Sequence, residues 1–383
     1  MSVESNLEMF NKIRPKIELG ITIATFYATT EPRWKRMFIK VSFTSTLLCL
    51  VSATYHIFNT FEGQLTGNLA MSFILCVGCI QIISKSILMR YHRHNLLKLL
   101  EKMQILHNNF QNEEINYIAA KKLKKFNDIW QICFKLIKAI IAMAVIIFSI
   151  SNIVRGKSGV IAQIPFIPND LPYYTQLMLF IQFILLAMAS IFVFYTDICI
   201  AFFGFEIMAA SDILYDYISA NTDRIQKDPD FLKIIMIRYC EVVDNIELFN
   251  KINFIANLIQ FATSIFLSFA VFFFIRLYPK HPVGYPTVMS ILVELFIPCL
   301  FGEFIKIKME RLSSTLYLTN WYSLSLKDQK SFLIVLLITQ REYGLRAAGM
   351  YDVNIYTFIK VVKMAASWCA FIFTLEAVQG KTA

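Results

Sequence analysis

Seven long apolar stretches alternate with charged segments along the chain. They cover residues 38–59, 68–90, 129–153, 172–204, 253–277, 285–305 and 355–378. Each is close to, or longer than, the roughly 20 residues with which a helix crosses the hydrocarbon core of a bilayer. The fourth exceeds that length, so we expect its helix to leave the bilayer from Phe202 onwards. The pattern predicts an all-α, polytopic membrane protein with seven transmembrane helices.

Apolar residues also recur at helical spacing within two of the charged segments. Residues 94–126 and 212–250 show this amphipathic pattern, which predicts helices outside the bilayer. The run 332–338 is apolar but short, and placing the charges on either side of it in a membrane is costly. The division that follows is a single seven-helix membrane domain over 1–383, with cytosolic helical extensions at 206–252 and 306–350 that form an anchor.

Composition and charge agree with a membrane protein and orient it. Hydrophobic residues make up 57% of the chain and charged residues 17%, and the mean hydropathy is +0.55. Soluble domains are about half apolar and a quarter charged. The net charge is +10, and Lys and Arg concentrate in the N-terminal segment and in alternate loops, which predicts a cytosolic N-terminus and an extracellular C-terminus. The first 37 residues lack the pattern of a cleavable signal peptide.

The final apolar stretch carries a polar stripe. Lys360, Lys363, Ser367 and Thr374, with Ala370 in the gap, follow a spacing of three and four residues and therefore share one face of a helix. Such a stripe suits a water-filled path lined by several copies of the helix. It also suits packing against neighbouring helices, with the lysines reaching the headgroups. Periodicity alone leaves both open.

The residues around this helix resemble the insect odorant receptor family. The resemblance rests on Trp321-Tyr322, Leu326-Lys-Asp-Gln-Lys330, Ala348-Gly349 and Thr357-Phe-x-Lys-Val-Val-Lys363. It implies a subunit of a ligand-gated, non-selective cation channel in the plasma membrane of sensory neurons. The partner it implies is the family's co-receptor, in a hetero-oligomer that is expected to be a tetramer. Thr374 stands where the family often has Gln, and the chain is shorter than the co-receptor, so it resembles a ligand-tuning subunit.

The resemblance also implies roles for particular residues. The pore-lining helix is expected at 354–378, with Phe371 as the gate. The pore residues are Lys363, Ser367, Phe371 and Thr374, and the subunit anchor residues are Trp321, Tyr322, Lys327, Asp328, Gln329 and Lys330. The ligand, a small aromatic or apolar volatile, is expected to touch Phe73, Val77, Ile147, Phe148, Ser151, Tyr174, Met178, Ile181, Phe269, Phe272 and Phe273.

Ionisable residues within the apolar stretches are functional candidates by default. Lys135 and Lys138 lie in the third stretch, Asp197 in the fourth, and Glu294 and Glu303 in the sixth. Lys135 and Asp197 fall at similar depth, and we predict that they pair. Pro298 is expected to kink the sixth helix.

Other functions find less support in the residues. The chain contains no phosphate-binding loop, nucleophile elbow or metal-spaced histidine set, so neither an enzyme nor a cofactor or metal is expected. The basic run Lys121–Lys125 directly precedes an apolar stretch, so no nucleic-acid partner is expected. A gustatory receptor-type channel of the same topology is the alternative, against which the Lys-Asp-Gln-Lys run argues. A G-protein-coupled receptor requires the opposite orientation.

Overall fold

A computed structural model describes residues 4–27, 32–61, 66–108, 113–168, 170–222, 224, 228–279, 283–319 and 321–382. These residues form ten α-helices: α1 (Glu4–Ala24), α2 (Arg33–Thr60), α3 (Gly67–Tyr91), α4 (Arg93–His107), α5 (Glu113–Arg155), α6 (Tyr174–Ala220), α7 (Pro229–Leu277), α8 (Gly284–Tyr317), α9 (Leu326–Thr339) and α10 (Ile355–Thr382). The all-α fold predicted from the sequence is confirmed.

Six of these helices are long and apolar enough to cross a membrane, namely α2, α3, α5, α6, α7 and α8. The seventh predicted stretch forms α10, the last helix of the chain. At 1.5 Å per residue, the 47 residues of α6 reach about 70 Å, more than twice the ~30 Å hydrocarbon core. The helix therefore continues well beyond the bilayer, and its exit at Phe202 stays a prediction.

The bundle has two different ends. We call the end that carries α4 and α9 the anchor end, and the opposite end, where residues 156–168 connect α5 to α6, the loop end. The amphipathic segments predicted at 94–126 and 212–250 lie at the anchor end, but each is divided between two helices. The first is split between α4 and α5, and the second between α6 and α7.

The largest hydrophobic core also lies at the anchor end. Its biggest fully buried side chains include Phe202, Tyr217, Phe231, Tyr239 and Phe332. These come from α6, α7 and α9, so the continuations of the long helices are packed together as one body. Burial of this much aromatic surface, rather than contact with lipid, stabilises the helices beyond the membrane.

The helix α1 was not predicted from the sequence. Phe10, Ile13, Ile17 and Ile21 are buried along one of its faces, at the three- and four-residue spacing of an amphipathic helix. Phe10 packs 4.7 Å from the ring of His107 on α4. The same His107 lies 3.0 Å from the buried carboxylate of Glu206 on α6, so α1 closes over a polar contact between α4 and α6.

A short hairpin separates α9 from α10. Strands β1 (Arg346–Ala347) and β2 (Tyr351–Asp352) pair antiparallel. The turn between them places Gly349 at φ 71°, a left-handed conformation that glycine adopts without the steric cost of a Cβ. The backbone N–H of Ala348 donates to the carbonyl of Phe254 on α7 at 3.0 Å. The segment before the last helix therefore contains an ordered turn fixed to α7.

Candidate functional site: an apolar cavity and the face of the final helix

An apolar cavity of about 260 Å³ lies between α3, α5, α6 and α8, in the half of the bundle nearer the loop end. Much of its wall is formed by Ile74, Ile82, Val145, Phe148, Leu186 and Val283. Hydroxyl groups of Ser190, Thr287 and Ser290 also line it, but each donates to a carbonyl of its own helix. A molecule in this cavity is therefore held mainly by apolar burial.

Small residues on three facing helices leave the space for the cavity. Gly78 on α3, Ala144 on α5 and Ala189 on α6 all border it. A Cβ atom added at Gly78 would meet no other atom within 4 Å. These side chains are too short to fill the space between the helices, and because all three lie at a similar depth, a void remains between them. Small residues within apolar stretches are the signal by which the sequence could have located it.

The segment after α5 closes the loop end of the bundle. Val160, Ile161 and Ala162 are buried, and Ile161 packs in a cluster with Met71 and Ile74 of the cavity wall. The Ile161 N–H donates to the Gln182 side chain at 3.1 Å, and its carbonyl accepts from the Ser72 hydroxyl at 2.8 Å. The loop backbone is thus tied to α3 and α6 directly beside the cavity.

A buried charge cluster lies one helical turn from the other side of the cavity. The Lys85 ammonium on α3 is 2.7 Å from a Glu294 oxygen on α8 and 3.7 Å from an Asp197 oxygen on α6. Gln81 donates to the same Glu294 oxygen at 2.8 Å. Gln260 of α7 donates to the Glu294 backbone carbonyl at 2.7 Å. Four helices therefore meet at one ionic and hydrogen-bonded junction.

The composition of this cluster corrects the pairing predicted from the sequence. Asp197 pairs with Lys85 rather than with Lys135, which is exposed on α5. Similar depth along two helices does not fix which way their side chains point. Removing either charge alone would leave its partner uncompensated in a low-dielectric interior, so such pairs are sensitive to single substitutions.

The helix α8 contacts both the cavity and α10. Near its start, Ser290 borders the cavity. Two turns later, the ring of Phe296 lies 5.3 Å from the ring of Phe358 on α10. Further along, a Glu303 oxygen accepts from the Ile355 N–H at 3.3 Å, at the first turn of α10. α8 therefore connects the cavity to the start of α10 through direct contacts.

The face of α10 that the sequence predicts to line a pore is exposed. Lys363, Ser367, Phe371 and Thr374 are all exposed in the single chain, Phe371 by 55%. The opposite face is packed against α7 and α8. It carries Val361, Ala365 and Cys369, which are buried. In this structure, the polar stripe does not pack against other helices of its own chain.

The predicted ligand-binding residues of α3, α5 and α6 do not all meet at the cavity. Ile147 and Phe148 line the cavity, and Val77 packs beside its wall. Tyr174, Met178 and Ile181 form a separate cluster with Val160 under the loop. Ser151 is buried, and its hydroxyl has no hydrogen-bond partner among the described residues. Phe73 is 46% exposed.

The three predicted residues of α7 lie away from the cavity. Phe269 and Phe273 stack with their ring centroids 6.2 Å apart. Phe272 borders an open cleft of about 630 Å³ between α7 and α10, together with Arg276 and Thr374. In contrast, α8 contributes Thr287 and Ser290 to the cavity, although no ligand-binding residue was predicted on that helix.

The predicted anchor residues form a turn and the start of α9. Gln329 donates to the carbonyls of Tyr322 and Leu324 at 2.7 and 2.9 Å, and Ser325 caps the helix by accepting from the Asp328 N–H. The Trp321 ring lies 6.1 Å from that of Phe332. Tyr322, Lys327 and Lys330 are exposed. The anchor motif thus fixes the direction in which α9 leaves the bundle.

The helix α9 has apolar side chains on two faces. Phe332, Val335 and Leu336 are buried against the protein, whereas Leu333, Ile334 and Leu337 are 48%, 61% and 67% exposed. After the helix, the Tyr343 hydroxyl donates to the Ile338 carbonyl at 3.1 Å. Burial raises the pKa of the Tyr343 phenol, which keeps it protonated as a donor. The exposed apolar surface is typical of a contact with another protein.

The fold is shared with solved receptor structures. The insect olfactory receptor OR5 from Machilis hrabei superposes with a TM-score of 0.75 at 12% identity, covering 96% of this chain and 99% of that one. The structure of that receptor in complex with eugenol superposes with a TM-score of 0.77 at 11% identity and the same coverage.

Sequence comparisons lead to the same group of proteins. Odorant receptor 33b of Drosophila melanogaster is 28% identical over 88 residues, and odorant receptor 82a of the same organism is 31% identical over 87 residues. These stretches span less than a quarter of this chain and of each relative. The family model described as 7tm Odorant receptor matches residues 65–366, which is most of the chain, and the chain therefore belongs to the insect odorant receptor family.

Proposed function

We propose that this chain is the odorant-binding subunit of a ligand-gated, non-selective cation channel, assembled with the family's co-receptor in the plasma membrane of sensory neurons. Family membership makes it a multi-pass membrane receptor rather than an enzyme. In this proposal the cavity binds the odorant, α10 lines the pore, and α9 contacts neighbouring subunits. It also adopts the orientation that the basic loops favour, with the anchor end in the cytosol.

The proposal rests on the observation that one helix, α8, contacts both the cavity and the pore helix α10. α8 borders the cavity at Ser290 and contacts α10 through Phe296 and Glu303. An odorant opens the channel only if it binds the open arrangement more tightly than the closed one. Because α8 forms part of the cavity wall and also packs against α10, a shift of α8 changes the shape of the cavity and the position of the pore helix together. The odorant can then bind one arrangement more tightly than the other.

The chemistry of the cavity supports a small apolar or aromatic odorant. An engineered cavity of about 150 Å³ in another protein accommodates benzene, so 260 Å³ has room for a ring with substituents. The related Machilis receptor was solved with eugenol, a molecule of this class. Because the cavity hydroxyls already donate within their helices, we expect discrimination among odorants mainly by size and shape.

The surfaces left exposed support assembly with other subunits. A polar stripe that includes Lys363 and Ser367 is costly against lipid and is tolerated around a water-filled path. One copy of α10 cannot enclose such a path. The exposed Leu333, Ile334 and Leu337 of α9 offer an apolar contact at the anchor end. Together these surfaces favour a ring of subunits, for which we propose a tetramer with the co-receptor.

Electrophysiology with defined subunits tests this function. We expect an odorant panel to evoke cation currents in cells that express both this chain and the co-receptor, and little or no current from this chain alone. Cells with the co-receptor alone give the control. Large odorant-evoked currents from the purified chain in bilayers without the co-receptor would contradict the proposed subunit role. Failure of every odorant, despite surface expression of both chains, would contradict the odorant-binding role.

The orientation requires its own experiment. Epitope tags at the two termini, detected in unpermeabilised cells, should show an accessible C-terminus and a hidden N-terminus. The reverse pattern would refute the proposed topology and with it the cytosolic position of the anchor end. Permeabilised cells provide the matched control, because both tags should then be detected equally.

A further inference from the structure

An open groove runs along the anchor-end half of the bundle between α1, α2, α5 and α6. Its volume is about 370 Å³. Apolar side chains form its walls, among them Ile23, Ile39, Phe134, Ile141 and Phe194. The groove is distinct from the odorant cavity, although Ser190 on α6 borders both. Because α2, α5 and α6 are candidate membrane spans, the groove lies at the level of the bilayer.

Lysines lie in one part of this groove, which we call its mouth. Lys35 and Lys138 line it, and the Lys16 ammonium lies 5.9 Å from the centre of the Phe134 ring in its wall. Lys138 is exposed within the apolar part of α5. In the part of the chain that the structure describes, no carboxylate forms an ion pair with it. An ammonium at this position beside hydrocarbon is unfavourable unless an anion accompanies it.

The side chains at the mouth match the parts of a phospholipid. Trp34 is 67% exposed beside Lys35, and tryptophan favours the level of the lipid headgroups. Basic pockets between transmembrane helices on the cytoplasmic side are suited to acidic headgroups. The apolar walls can bury an acyl chain, and the lysine ammonium groups can donate hydrogen bonds to a phosphate. The combination of an apolar groove with a cationic mouth distinguishes this site from the odorant cavity, which presents no charged side chain.

We propose that the groove binds an anionic phospholipid of the adjacent leaflet, with an acyl chain along Ile39 and Ile141 and the headgroup among Lys16, Lys35 and Lys138. The identification of that leaflet as the cytoplasmic one rests on the orientation proposed above. The shared contact at Ser190 places the lipid against the turn of α6 that borders the odorant cavity.

Native mass spectrometry of the detergent-solubilised chain tests the site. Phosphatidylserine and phosphatidylcholine are titrated separately onto the parent chain, Lys138→Gln and the double variant Lys35→Gln/Lys138→Gln. We expect phosphatidylserine to bind the parent at least about tenfold more tightly than phosphatidylcholine, since a 1.4 kcal/mol preference is tenfold. The double variant should lose most of that preference. Equal binding of the two lipids by the parent, or an unchanged preference in the double variant, would overturn the proposal.

Two further variants distinguish specific binding of the lipid in the groove from a nonspecific attraction of anionic lipid to a basic protein. Lys125→Gln lies on the same helix about 20 Å from Lys138, at 1.5 Å per residue, and should leave the preference unchanged. Ile141→Trp fills the groove without changing charge and should weaken binding of phosphatidylserine. Inorganic phosphate should not displace the lipid; displacement would indicate a free-anion site and overturn the proposal. No odorant or current enters this assay, so its outcome is independent of whether the channel function holds.

Discussion

Filling the cavity from the Gly78 wall should weaken the response to odorants without unfolding the protein. Gly78 lies in the middle of α3 and borders the cavity, and a Cβ built there meets no atom within 4 Å. A leucine at this position can therefore point into the void. Replacement of a helical glycine by a residue with a side chain also favours the helix by about 0.5–1 kcal/mol, so the substitution should not lower stability.

The size of the effect follows from the volume of the cavity. With about 260 Å³ available, a leucine side chain competes directly with a ring-sized ligand. Forcing extra methylenes into a filled site costs about 1–3 kcal/mol. Since 1.4 kcal/mol corresponds to a tenfold change in affinity, this cost is roughly a 5- to 150-fold increase in the odorant concentration that gives half-maximal current. Larger odorants should be affected more than smaller ones, because the remaining space excludes them first.

Dose–response recordings with the co-receptor measure this shift, with surface expression quantified in the same cells. Gly78→Ala is the matched control: it adds one methyl group to the same wall and should change the response much less than Gly78→Leu. If Gly78→Leu reaches the surface and leaves the response to the whole odorant panel unchanged, the odorant does not occupy this cavity.

Three other substitutions test the contacts around the cavity and the pore helix. Lys85→Met should lower the melting temperature of the purified protein, because breaking a buried pair costs about 3–5 kcal/mol; adding Glu294→Gln should recover part of the loss, and an unchanged melting temperature would argue against the charge cluster. Gly302→Ala should impair assembly of the subunits on native gels, because the added Cβ would collide with the carbonyl of Val353, just before α10. Gly344→Ala is the control: its Cβ would meet no atom within 4 Å, so this variant should assemble normally. Equal assembly of the two variants would contradict the close contact at Gly302. Phe371→Ala should raise basal current, and only partially, because we expect the co-receptor to contribute most of the ring; recordings with identical basal current and reversal potential would mean that Phe371 does not face the pore.

Hydropathy was sufficient to predict the helices that cross the membrane, because length and apolarity are what a bilayer requires. It could not show where those helices end. α5, α6 and α7 continue for many residues at the anchor end, where protein contacts rather than lipid bury their apolar faces. The helix α1 follows the same rule. Its Phe10, Ile13, Ile17 and Ile21 pattern was present in the sequence, but it was hidden among charges.

Rotation of helices about their axes limited the prediction of the site. The sequence gives the depth of Lys85, Lys135 and Asp197 but not the direction in which each points, so the pairing of Asp197 was assigned to the wrong lysine. The cavity depends on Gly78, Ala144 and Ala189 meeting across three helices. Such a void is a property of packing and cannot be read from any one stretch. The polar stripe of α10 was predictable because all its residues lie on one helix.

Cysteine accessibility in the pore helix tests the central claim most directly, namely that odorant binding opens a path lined by the exposed face of α10. Ser367→Cys, co-expressed with the co-receptor, should react with a cationic methanethiosulfonate reagent and lose current much faster in the presence of odorant than in its absence. Ala365 lies two residues away but is only 1% exposed. The reagent should therefore have little effect on the current of Ala365→Cys, and likewise on that of the parent chain. If reagent applied with odorant leaves the Ser367→Cys current unchanged, or modifies Ala365→Cys equally, then this face of α10 does not line the conducting path.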